Sequence, residues 1–351
     1  MPANSEDPSG NLPKKLRLLI VRLGAMGDIL HSMPAVTALR QAHPEWRIGW
    51  AMEPQWRGLF CTRDGRMPLV DQVHMVPAKR WAQSPLSLAT LRDIRRVRGE
   101  LRGAQYDIAV DMQGAVRSAM VARWSKAEHV IGEAAPRERA AKWLFHERVP
   151  TRGAHVIEQS LEVANAILRE RLPMTLPLLP DDPGADAEAA QIPQPFVLMS
   201  PGAGWGAKRW PADRYGAVAR RLAEAGYGVV INRAPAEEHL AEEIVATSGG
   251  AARAMTLDLS ELIAVTRRAA LAIAGDTGPL HLACALAKPV VGIFGPTDPA
   301  RNGPYHCRSR VLRNPASVRD HSRRSEPEAG LLTITPEDVT NAALELLREV
   351  R

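Results

Sequence analysis

Short apolar runs alternate with helical patterns along the whole of this 351-residue chain. A strand, a helix and a second strand in succession form a βαβ unit, which builds a parallel sheet covered by helices on both faces. Five runs fall in each half: 16–23, 48–52, 72–76, 106–112 and 129–132, then 196–200, 228–232, 253–257, 271–275 and 290–295. The sequence therefore predicts an α/β protein with two Rossmann-like, doubly wound parallel sheets.

A proline-rich segment separates the two halves. Residues 172–194 contain five prolines and cannot form one regular element. We therefore predict a first domain over residues 16–175, a linker over 176–194 and a second domain over 195–335. Residues 1–15 are polar and predict a disordered extension.

The C-terminal segment begins with a helix-start signal. Thr335-Pro336-Glu337-Asp338 supplies an N-cap, a proline at the first helical position and an acidic first turn. We predict a terminal helix over 336–351 that returns across the cleft to the first domain. The basic stretch 301–324 is irregular and is predicted to be a loop.

Positive charge is concentrated in the first half. Residues 79–148 contain 14 Lys and Arg against 8 Asp and Glu, an excess as large as the whole chain's +6. This concentration indicates an acidic substrate or an anionic membrane surface, with a solvated helix face as the alternative for any single arginine. Within it, apolar residues at helical spacing favour a crossover helix over a membrane-lying one: Leu88, Leu91, Ile94, Val97 and Leu101.

The three cysteines are widely spaced and odd in number. This argues against a disulfide framework or a structural zinc site and fits a reducing compartment, with the cytoplasm as the expected location. No apolar run approaches the ~20 residues of a membrane-spanning helix.

Three strand ends open into glycine-containing loops, at 24–27, 202–206 and 275–278. The loop that ends at Gly27 and the loop that ends at Gly278 each lead into a helical pattern. Such turns expose backbone N–H groups at the carboxyl edge of a parallel sheet, which is an anion site. Three of them in one chain predict a cleft built from several strand ends.

Together these residues resemble glycosyltransferase family 9, the ADP-heptose:lipopolysaccharide heptosyltransferases. The resemblance covers residues 16–350 and rests on Met26-Gly27-Asp28-Ile29-Leu30-His31, Lys208-Arg209-Trp210-Pro211, Asp276-Thr277-Gly278-Pro279-Leu280-His281 and Phe294-Gly295-Pro296-Thr297-Asp298-Pro299. Within the family it is most similar to the heptosyltransferase I pattern, through segments 79–81, 106–114 and 135–138. It implies a GT-B fold, in which two Rossmann-like domains face a cleft.

The activity that the resemblance implies is inverting transfer of L-glycero-D-manno-heptose from ADP-heptose to Kdo in a lipid A-Kdo acceptor. Asp28 is the predicted general base, with helix capping as its alternative role. Lys208 is predicted to stabilise the departing pyrophosphate, and a plain surface lysine is the alternative. The chain has no Asp-x-Asp, so we predict catalysis without a metal and without a cofactor.

The donor site is predicted from the two later loops. Backbone N–H groups of Ala203, Gly204, Thr277 and Gly278 would bind phosphate, although some relatives carry hydroxyl residues where Ala203 and Gly204 stand. Asp276 would position the loop and the donor, with metal ligation as its alternative role. The remaining assignments leave alternatives open: His281 contacts phosphate or packs beneath the loop, and a ribose carboxylate is Glu237 or its neighbour Glu238.

The acceptor site is predicted from the first domain. Four basic side chains there would bind the carboxylates and phosphates of an acidic glycolipid: Lys79, Arg80, Arg117 and Arg137. Asp111 and Gln113, at the end of the fourth strand, would orient sugar hydroxyls. The predicted partners are a nucleotide-sugar donor, this glycolipid and a transient contact with the inner membrane leaflet, but no nucleic acid. The chain would then be cytoplasmic and peripheral to that membrane.

Three other functions remain open. The first is a family 9 enzyme acting on a later heptose or another glycan. The second is an NAD-type dehydrogenase, but residues 24–27 lack the Gly-x-Gly-x-x-Gly spacing. The third is a nucleotide-binding module without turnover.

Overall fold

Two six-stranded parallel sheets form the frame of the protein. The computed structural model describes residues 15–234, 237–320 and 324–349. The first sheet contains β1 (Arg17–Val21), β2 (Arg47–Met52), β3 (Gln72–Met75), β4 (Ile108–Asp111), β5 (His129–Glu133) and β6 (Glu147–Val149). The second contains β7 (Phe196–Ser200), β8 (Gly228–Arg233), β9 (Ala252–Thr256), β10 (Leu271–Gly275), β11 (Val290–Phe294) and β12 (Ser309–Arg313).

The two sheets have the same topology. Their orders are β3-β2-β1-β4-β5-β6 and β12-β11-β10-β7-β8-β9, so each half repeats the Rossmann order 3-2-1-4-5-6. The order reverses between β1 and β4, where Val21 pairs with Asp111, and between β7 and β10, where Ser200 pairs with Ala274. Ligands of such sheets bind at these switch points, beyond the carboxyl ends of the strands. The predicted GT-B arrangement is confirmed.

Helices cover both faces of each sheet. In the first half these are α1 (Met26–Ala42), α2 (Ala78–Gln83), α3 (Leu88–Gly103), α4 (Val116–Trp124) and α5 (Val156–Leu168). The second half has α7 (Ala212–Glu224), α8 (Glu238–Thr247), α9 (Leu259–Arg268), α10 (Gly278–Ala285), α11 (Pro299–Asn302) and α12 (Pro336–Glu349), and α6 (Pro183–Ala189) lies between them. The strands at the centre of each sheet are fully buried, which explains their continuous apolar sequences.

The two halves meet where the N-terminus of α1 packs against α10. A Cβ atom at Gly27 would lie 2.4 Å from the His281 ring, and one at Gly278 would lie 2.5 Å from the sulfur of Met26. Only glycine permits this approach, so both glycine turns are needed for domain contact as well as for loop geometry. Helix α6, inside the predicted linker, packs against α9, and its N-cap Asp182 accepts a hydrogen bond of 2.6 Å from the Arg63 amide.

The predicted return of the terminal helix to the first domain is wrong. Helix α12 packs against α7 and strands β10–β12, and it buries Val339, Ala343 and Leu346 in the second core. Its outer end is held by Arg310, which pairs with Glu349 at 2.5 Å. Because that face of the second sheet is apolar, the amphipathic helix is more stable on its own domain than across the cleft. Residues 350 and 351 lie outside the described residues.

Two edge strands were absent from the sequence prediction. Strand β12 lies inside the basic stretch predicted to be a loop, and β6 pairs with β5 over three residues. Both are short and carry charged side chains, exposed in β6 and half-exposed in β12, as edge strands commonly do. Of the predicted extension, residues 1–14 lie outside the described residues.

Candidate active site

Asp28 lies in the first turn of α1, just beyond β1. One carboxylate oxygen accepts the amide of Ala25 at 3.1 Å, and the other pairs with Arg22 at 3.1 Å. Its side chain is 42% exposed, whereas that of Arg22 is 14% exposed. Asp28 therefore caps the helix and still presents its carboxylate to the cleft, so capping and proton transfer are compatible roles.

Asp111 does not reach the cleft. It is fully buried, and its carboxylate accepts the amides of Gln113 and Gly114 at 2.8 and 3.1 Å and the Ser118 hydroxyl at 2.9 Å. Burial raises the pKa of Asp111 to about 6, against the lowering effect of these hydrogen bonds. The prediction that Asp111 contacts the acceptor is therefore wrong. Asp111 instead stabilises the loop after β4 through these hydrogen bonds.

Gln113 ties the two loops of the first switch point together. Its side-chain oxygen accepts the Leu23 amide at 2.8 Å, and only 7% of the residue is exposed. This bond joins the end of β4 to the turn that precedes Asp28. Direct contact between Gln113 and a sugar stays a prediction.

The predicted basic residues line the carboxyl edge of the first sheet. The backbone of Arg137 packs on Gly114, and Glu138 of the same loop accepts the amide of Val116 at 2.9 Å. Arg117, on the first turn of α4, is exposed, as is Arg137, and within the described residues neither forms an ion pair or side-chain hydrogen bond. The structure therefore brings two unpaired guanidinium groups to neighbouring loops.

Arg80 and Lys79 begin α2 on the other side of this edge. The Arg80 guanidinium is 65% exposed and pairs with Asp93 of α3. The Lys79 amide donates to Glu53, a buried carboxylate beyond β2, at 2.9 Å, and its side chain is exposed. Arg80 is thus oriented by a partner, unlike the arginines near α4.

Lys208 and Asp276 form a buried ion pair at the second switch point. The ammonium group lies 2.5 Å from the carboxylate and 3.2 Å from the Asp276 carbonyl, and the side chains are 13% and 5% exposed. Burial alone would raise the pKa of Asp276, but His281 and Lys208 outweigh it and hold the pKa well below its usual range. Lys208 is therefore a positioned cation rather than a surface lysine.

His281 lies beneath the loop, and both of its ring nitrogens are engaged. Nε2 bonds to Asp276 at 3.1 Å, and Nδ1 bonds to Nε2 of His31 on α1 at 3.1 Å. These two bonds favour the packing alternative over a phosphate contact for His281. Because the carboxylate must accept, His281 donates from Nε2.

His31 extends this series of hydrogen bonds into the first domain. Burial, then the neighbouring His281 and His155, hold the pKa of His31 well below its usual value, so the ring is neutral at pH 7. Four side chains thus connect the two domains, in the order Lys208, Asp276, His281 and His31.

The donor loops present backbone groups and one carboxylate. The amides of Thr277 and Gly278 donate to no protein acceptor within the described residues, and they stand at the N-terminus of α10. Glu237 lies against Gly202, where a Cβ atom would be 2.0 Å from its carboxylate, whereas Glu238 pairs with Arg233 at 3.2 Å. The geometry favours Glu237 over Glu238 as the carboxylate of this loop.

The loop positions Ala203 and Gly204 differ in access. Ala203 is buried and its carbonyl accepts from Arg209 at 3.4 Å, while a Cβ atom at Gly204 would meet open space. Gly204 is therefore the better placed of the two to offer its amide to a ligand, and the contact itself stays a prediction.

Sequence reasoning missed three residues of this region. Arg22 holds Asp28 and also donates to the Met112 carbonyl, and His31 lies in the interdomain chain. Thr297, beyond β11, is 3% exposed, and its hydroxyl has no protein partner in the described residues. His31 and Thr297 belong to the quoted motifs and Arg22 to the first predicted strand, but the sequence attached no role to them.

The site combines the exposed Asp28 carboxylate with the buried Lys208 ammonium group, where the N-terminal ends of α1 and α10 are in contact. Asp28 follows Gly27, which contacts His281, and His281 bonds to the Lys208-paired Asp276. Such a site can accept a proton on one side of the cleft and stabilise a developing phosphate charge on the other.

The chain matches the profile of glycosyltransferase family 9 (heptosyltransferase) over residues 94–331. It belongs to that family. It is 29% identical to lipopolysaccharide heptosyltransferase 1 of Pseudomonas aeruginosa over 297 residues, which are 83% of this chain and 81% of that protein. The corresponding Escherichia coli K12 enzyme is 27% identical over 321 residues, 86% of this chain and 94% of the relative.

Solved structures share the fold. The E. coli heptosyltransferase WaaC with ADP superimposes with a TM-score of 0.79 at 23% identity, covering 94% of this chain and all 100% of that one. E. coli ADP-heptose lps heptosyltransferase II gives a TM-score of 0.77 at 23% identity, covering 95% and 99%. These neighbours confirm the two-domain architecture that the sequence predicts for this heptosyltransferase.

Proposed function

We propose that this family 9 heptosyltransferase transfers L-glycero-D-manno-heptose from ADP-heptose to Kdo of a lipid A-Kdo acceptor, with inversion and without a metal. The observation that carries the proposal is the placement of exposed Asp28 opposite the buried Lys208–Asp276 pair. The names of the similar proteins, lipopolysaccharide heptosyltransferase 1 and a heptosyltransferase with ADP, support this donor and this pathway.

The chemical step follows from the two charges. Asp28 accepts the proton of the attacking Kdo hydroxyl, and Arg22 keeps the carboxylate oriented. The acceptor oxygen displaces ADP from the anomeric carbon in a single step, which inverts the configuration. Lys208 and the amides of Thr277 and Gly278 stabilise the pyrophosphate as the glycosidic bond breaks. A lysine and helix N-terminus in these positions supply the charge that a metal provides elsewhere.

The acceptor side fits a membrane glycolipid. Three leucines at the start of α3 are exposed, Leu86 by 90%, Leu88 by 72% and Leu91 by 42%. They share this edge of the domain with Arg80, while Arg117 and Arg137 lie on neighbouring loops. A mixed apolar and basic surface is what contact with an anionic inner leaflet requires. The described residues include no helix long and apolar enough to span a membrane.

Mass spectrometry of the acceptor after incubation with ADP-heptose tests the reaction. We expect one heptose to be added to lipid A-Kdo and none to lipid A without Kdo. Transfer only to an acceptor that already carries heptose would establish the rival family 9 activity, and ADP binding without turnover would establish the binding module.

The metal-free proposal has its own test. We expect EDTA to leave the rate unchanged, because Lys208 already occupies the charge position beside the phosphates. Loss of activity in EDTA that Mg²⁺ or Mn²⁺ restores would overturn it. A thermal-shift panel with ADP, UDP, GDP and NAD should show the largest stabilisation with ADP, since a ligand of the native state raises its stability.

A further inference from the structure

A second cationic pocket lies on the first domain, away from the cleft. It encloses about 290 Å³ and is lined by Arg98, Arg102, Arg123, Trp124, Lys126, Ala127 and His146. Arg102 precedes β4, Lys126 precedes β5 and His146 precedes β6, so the pocket opens at the amino edge of the sheet. Strands of three to five residues separate it by about 10–15 Å from the carboxyl edge, where the acceptor residues lie.

Four cations line this pocket without a carboxylate. Within the described residues, Arg98, Arg102, Arg123 and Lys126 form no ion pair, although Glu100 on α3 does pair with Arg96. None of the four donates to a helix carbonyl either, so they do not act as hydrogen-bonding C-caps of α3 and α4. Uncompensated like charges around a concavity favour the binding of an anion.

His146 lies beside Arg123 in the wall of the pocket. Its Nδ1 accepts the Val130 amide at 3.0 Å, while Arg123 lies against Nε2. Burial, then Arg123 and His129, lower the pKa of His146, so the ring is neutral. A guanidinium can only donate, so His146 restricts the position of Arg123 and contributes no donor of its own to a bound anion.

Trp124 and Lys126 complete the pocket. The Arg98 guanidinium lies 5.8 Å from the centre of the Trp124 ring, which restricts its position. Lys126 follows the end of α4 with a φ of 63°, in the left-handed region where glycine is the favoured residue. A long cationic side chain therefore occupies a position that helix termination alone would give to glycine.

We propose that this pocket, formed by Arg98, Arg102, Arg123, Trp124, Lys126 and His146, binds a phosphate group at a site separate from the catalytic cleft. Guanidinium forks and a lysine ammonium match the several oxygens of a phosphate. The phosphate comes from a lipid headgroup or from a soluble phosphorylated compound, and the chemistry of recognition is the same.

Titration with inorganic phosphate at constant ionic strength tests the site. The indole N–H resonance of Trp124, assigned with Trp124→Phe, reports on the pocket and not on the donor loops. We expect a saturable shift with phosphate and none with chloride. The Arg102→Glu/Lys126→Glu variant should lose the shift. Its matched control is Arg220→Glu/Arg221→Glu, the same charge change on exposed residues of α7, which should keep it.

Lys126→Gly separates a binding role from a structural one. Glycine relieves the left-handed backbone, so the melting temperature should rise while phosphate binding weakens at least several-fold. A shift at Trp124 that chloride reproduces, or that persists in the charge-reversed variant, would overturn the proposal. So would unchanged phosphate binding in Lys126→Gly.

Flotation with vesicles identifies the source of the phosphate. Retention on phosphatidylglycerol vesicles that falls in Arg102→Glu/Lys126→Glu, with no retention on phosphatidylcholine, assigns the site to lipid headgroups. Equal retention of the variant and its matched control, together with a phosphate shift in the unmodified chain, assigns it to a soluble phosphate.

Discussion

Asp111 and Asp276 stand at equivalent ends of the two sheets and have opposite properties. Each lies at the carboxyl end of the fourth strand of its sheet, and each is buried. Asp111 receives two amides and a hydroxyl, and its pKa is raised to about 6. Asp276 faces Lys208 and His281, and its pKa is held below the usual range. Cationic partners, and not burial or topology, decide whether the pKa of the buried carboxylate lies above or below its usual range.

The same contrast divides the cleft into two halves. The second domain holds its cation in a dry, fixed pair, which suits a phosphate whose charge grows as a bond breaks. The first domain places its charged groups, Asp28 and the arginines, in partial contact with solvent, where an acceptor and a proton can arrive. Each prediction below tests one side of this division.

Asp28→Asn carries the largest expected effect. Removing the carboxylate should lower turnover by roughly 10²–10⁴-fold, the usual contribution of a general base, and leave ADP affinity within a few-fold. Steady-state kinetics and ADP calorimetry measure both. Asp213→Asn is the control, because Asp213 is also acidic and in the first turn of a helix but belongs to α7. Near-normal turnover in Asp28→Asn would leave Asp28 with capping alone.

Lys208→Ala should affect binding and chemistry together. Loss of a positioned cation costs about 10²–10³-fold in turnover, and ADP affinity should also fall. Lys288→Ala serves as the control, because Lys288 is a half-buried lysine of the same domain whose ammonium group, within the described residues, donates only to the Arg267 carbonyl, at 2.8 Å. If both variants lost the same activity, Lys208 would act through domain stability and not through the phosphates.

Central strands were predictable from the sequence because burial on both faces leaves a continuous apolar run. The bounds predicted for β7 and β10 agree with the structure. Strands β6 and β12 were missed because an edge strand needs no such run, and Ser309–Arg313 carries two arginines. The partner of α12 was also missed, since an amphipathic stripe shows that a helix is buried but not against which domain.

Site residues were predictable as members of loops but not as partners. Lys208 and Asp276 are 68 positions apart, and their pairing depends on β7 and β10 being neighbours. The burial of Asp111 could not be predicted, because an Asp at the end of a strand gives the same sequence pattern whether it contacts a ligand or accepts hydrogen bonds from its own turn. The hydrogen bond between His31 and His281 joins residues that are 250 positions apart, and it depends on the contact between the two domains.

The contrast between the two buried carboxylates predicts opposite effects on stability. Asp111 has a folded pKa above its unfolded value, so the folded state binds more protons and stability falls as pH rises from about 4 to about 6. A difference of about two between the folded and unfolded pKa of Asp111 corresponds to about 3 kcal/mol. The free-energy penalty of Asp111→Asn should therefore shrink by up to that amount between pH 4 and pH 7, measured by chemical denaturation.

Asp276→Asn is the matched variant with the opposite sign. The folded pKa of Asp276 is depressed, so its stabilisation is complete above the ordinary aspartate pKa and is lost only as pH falls below it. Its penalty should be constant from pH 5 to 7 and decrease only in stronger acid. Parallel pH profiles for the two variants would mean that their environments do not differ as the structure shows.

The smallest expected effect concerns the arginines of the open half. Arg117→Lys and Arg137→Lys keep the charge but lose the fork that binds a carboxylate or phosphate with two hydrogen bonds. Losing one such bond costs about 0.5–1.5 kcal/mol, so the acceptor KM should rise by about 2- to 10-fold while the donor KM is unchanged. Arg80→Lys should change it less, because Arg80 already shares its guanidinium with Asp93.

Ionic strength separates the two halves of the cleft in the unmodified enzyme. Exposed charges are screened over about 10 Å at 0.1 M salt, whereas a buried pair such as Lys208 with Asp276 is screened much less. The acceptor KM should therefore rise more steeply with salt than the donor KM, and the slope should flatten when Arg117 and Arg137 are both replaced by Gln. Arg220→Gln/Arg221→Gln on α7 removes the same charge far from the cleft and should keep the full slope. If the KM values of both substrates depended equally on salt, the groups that bind the acceptor would be as buried as those that bind the donor. That result would contradict a role for the exposed Arg117 and Arg137 in acceptor binding.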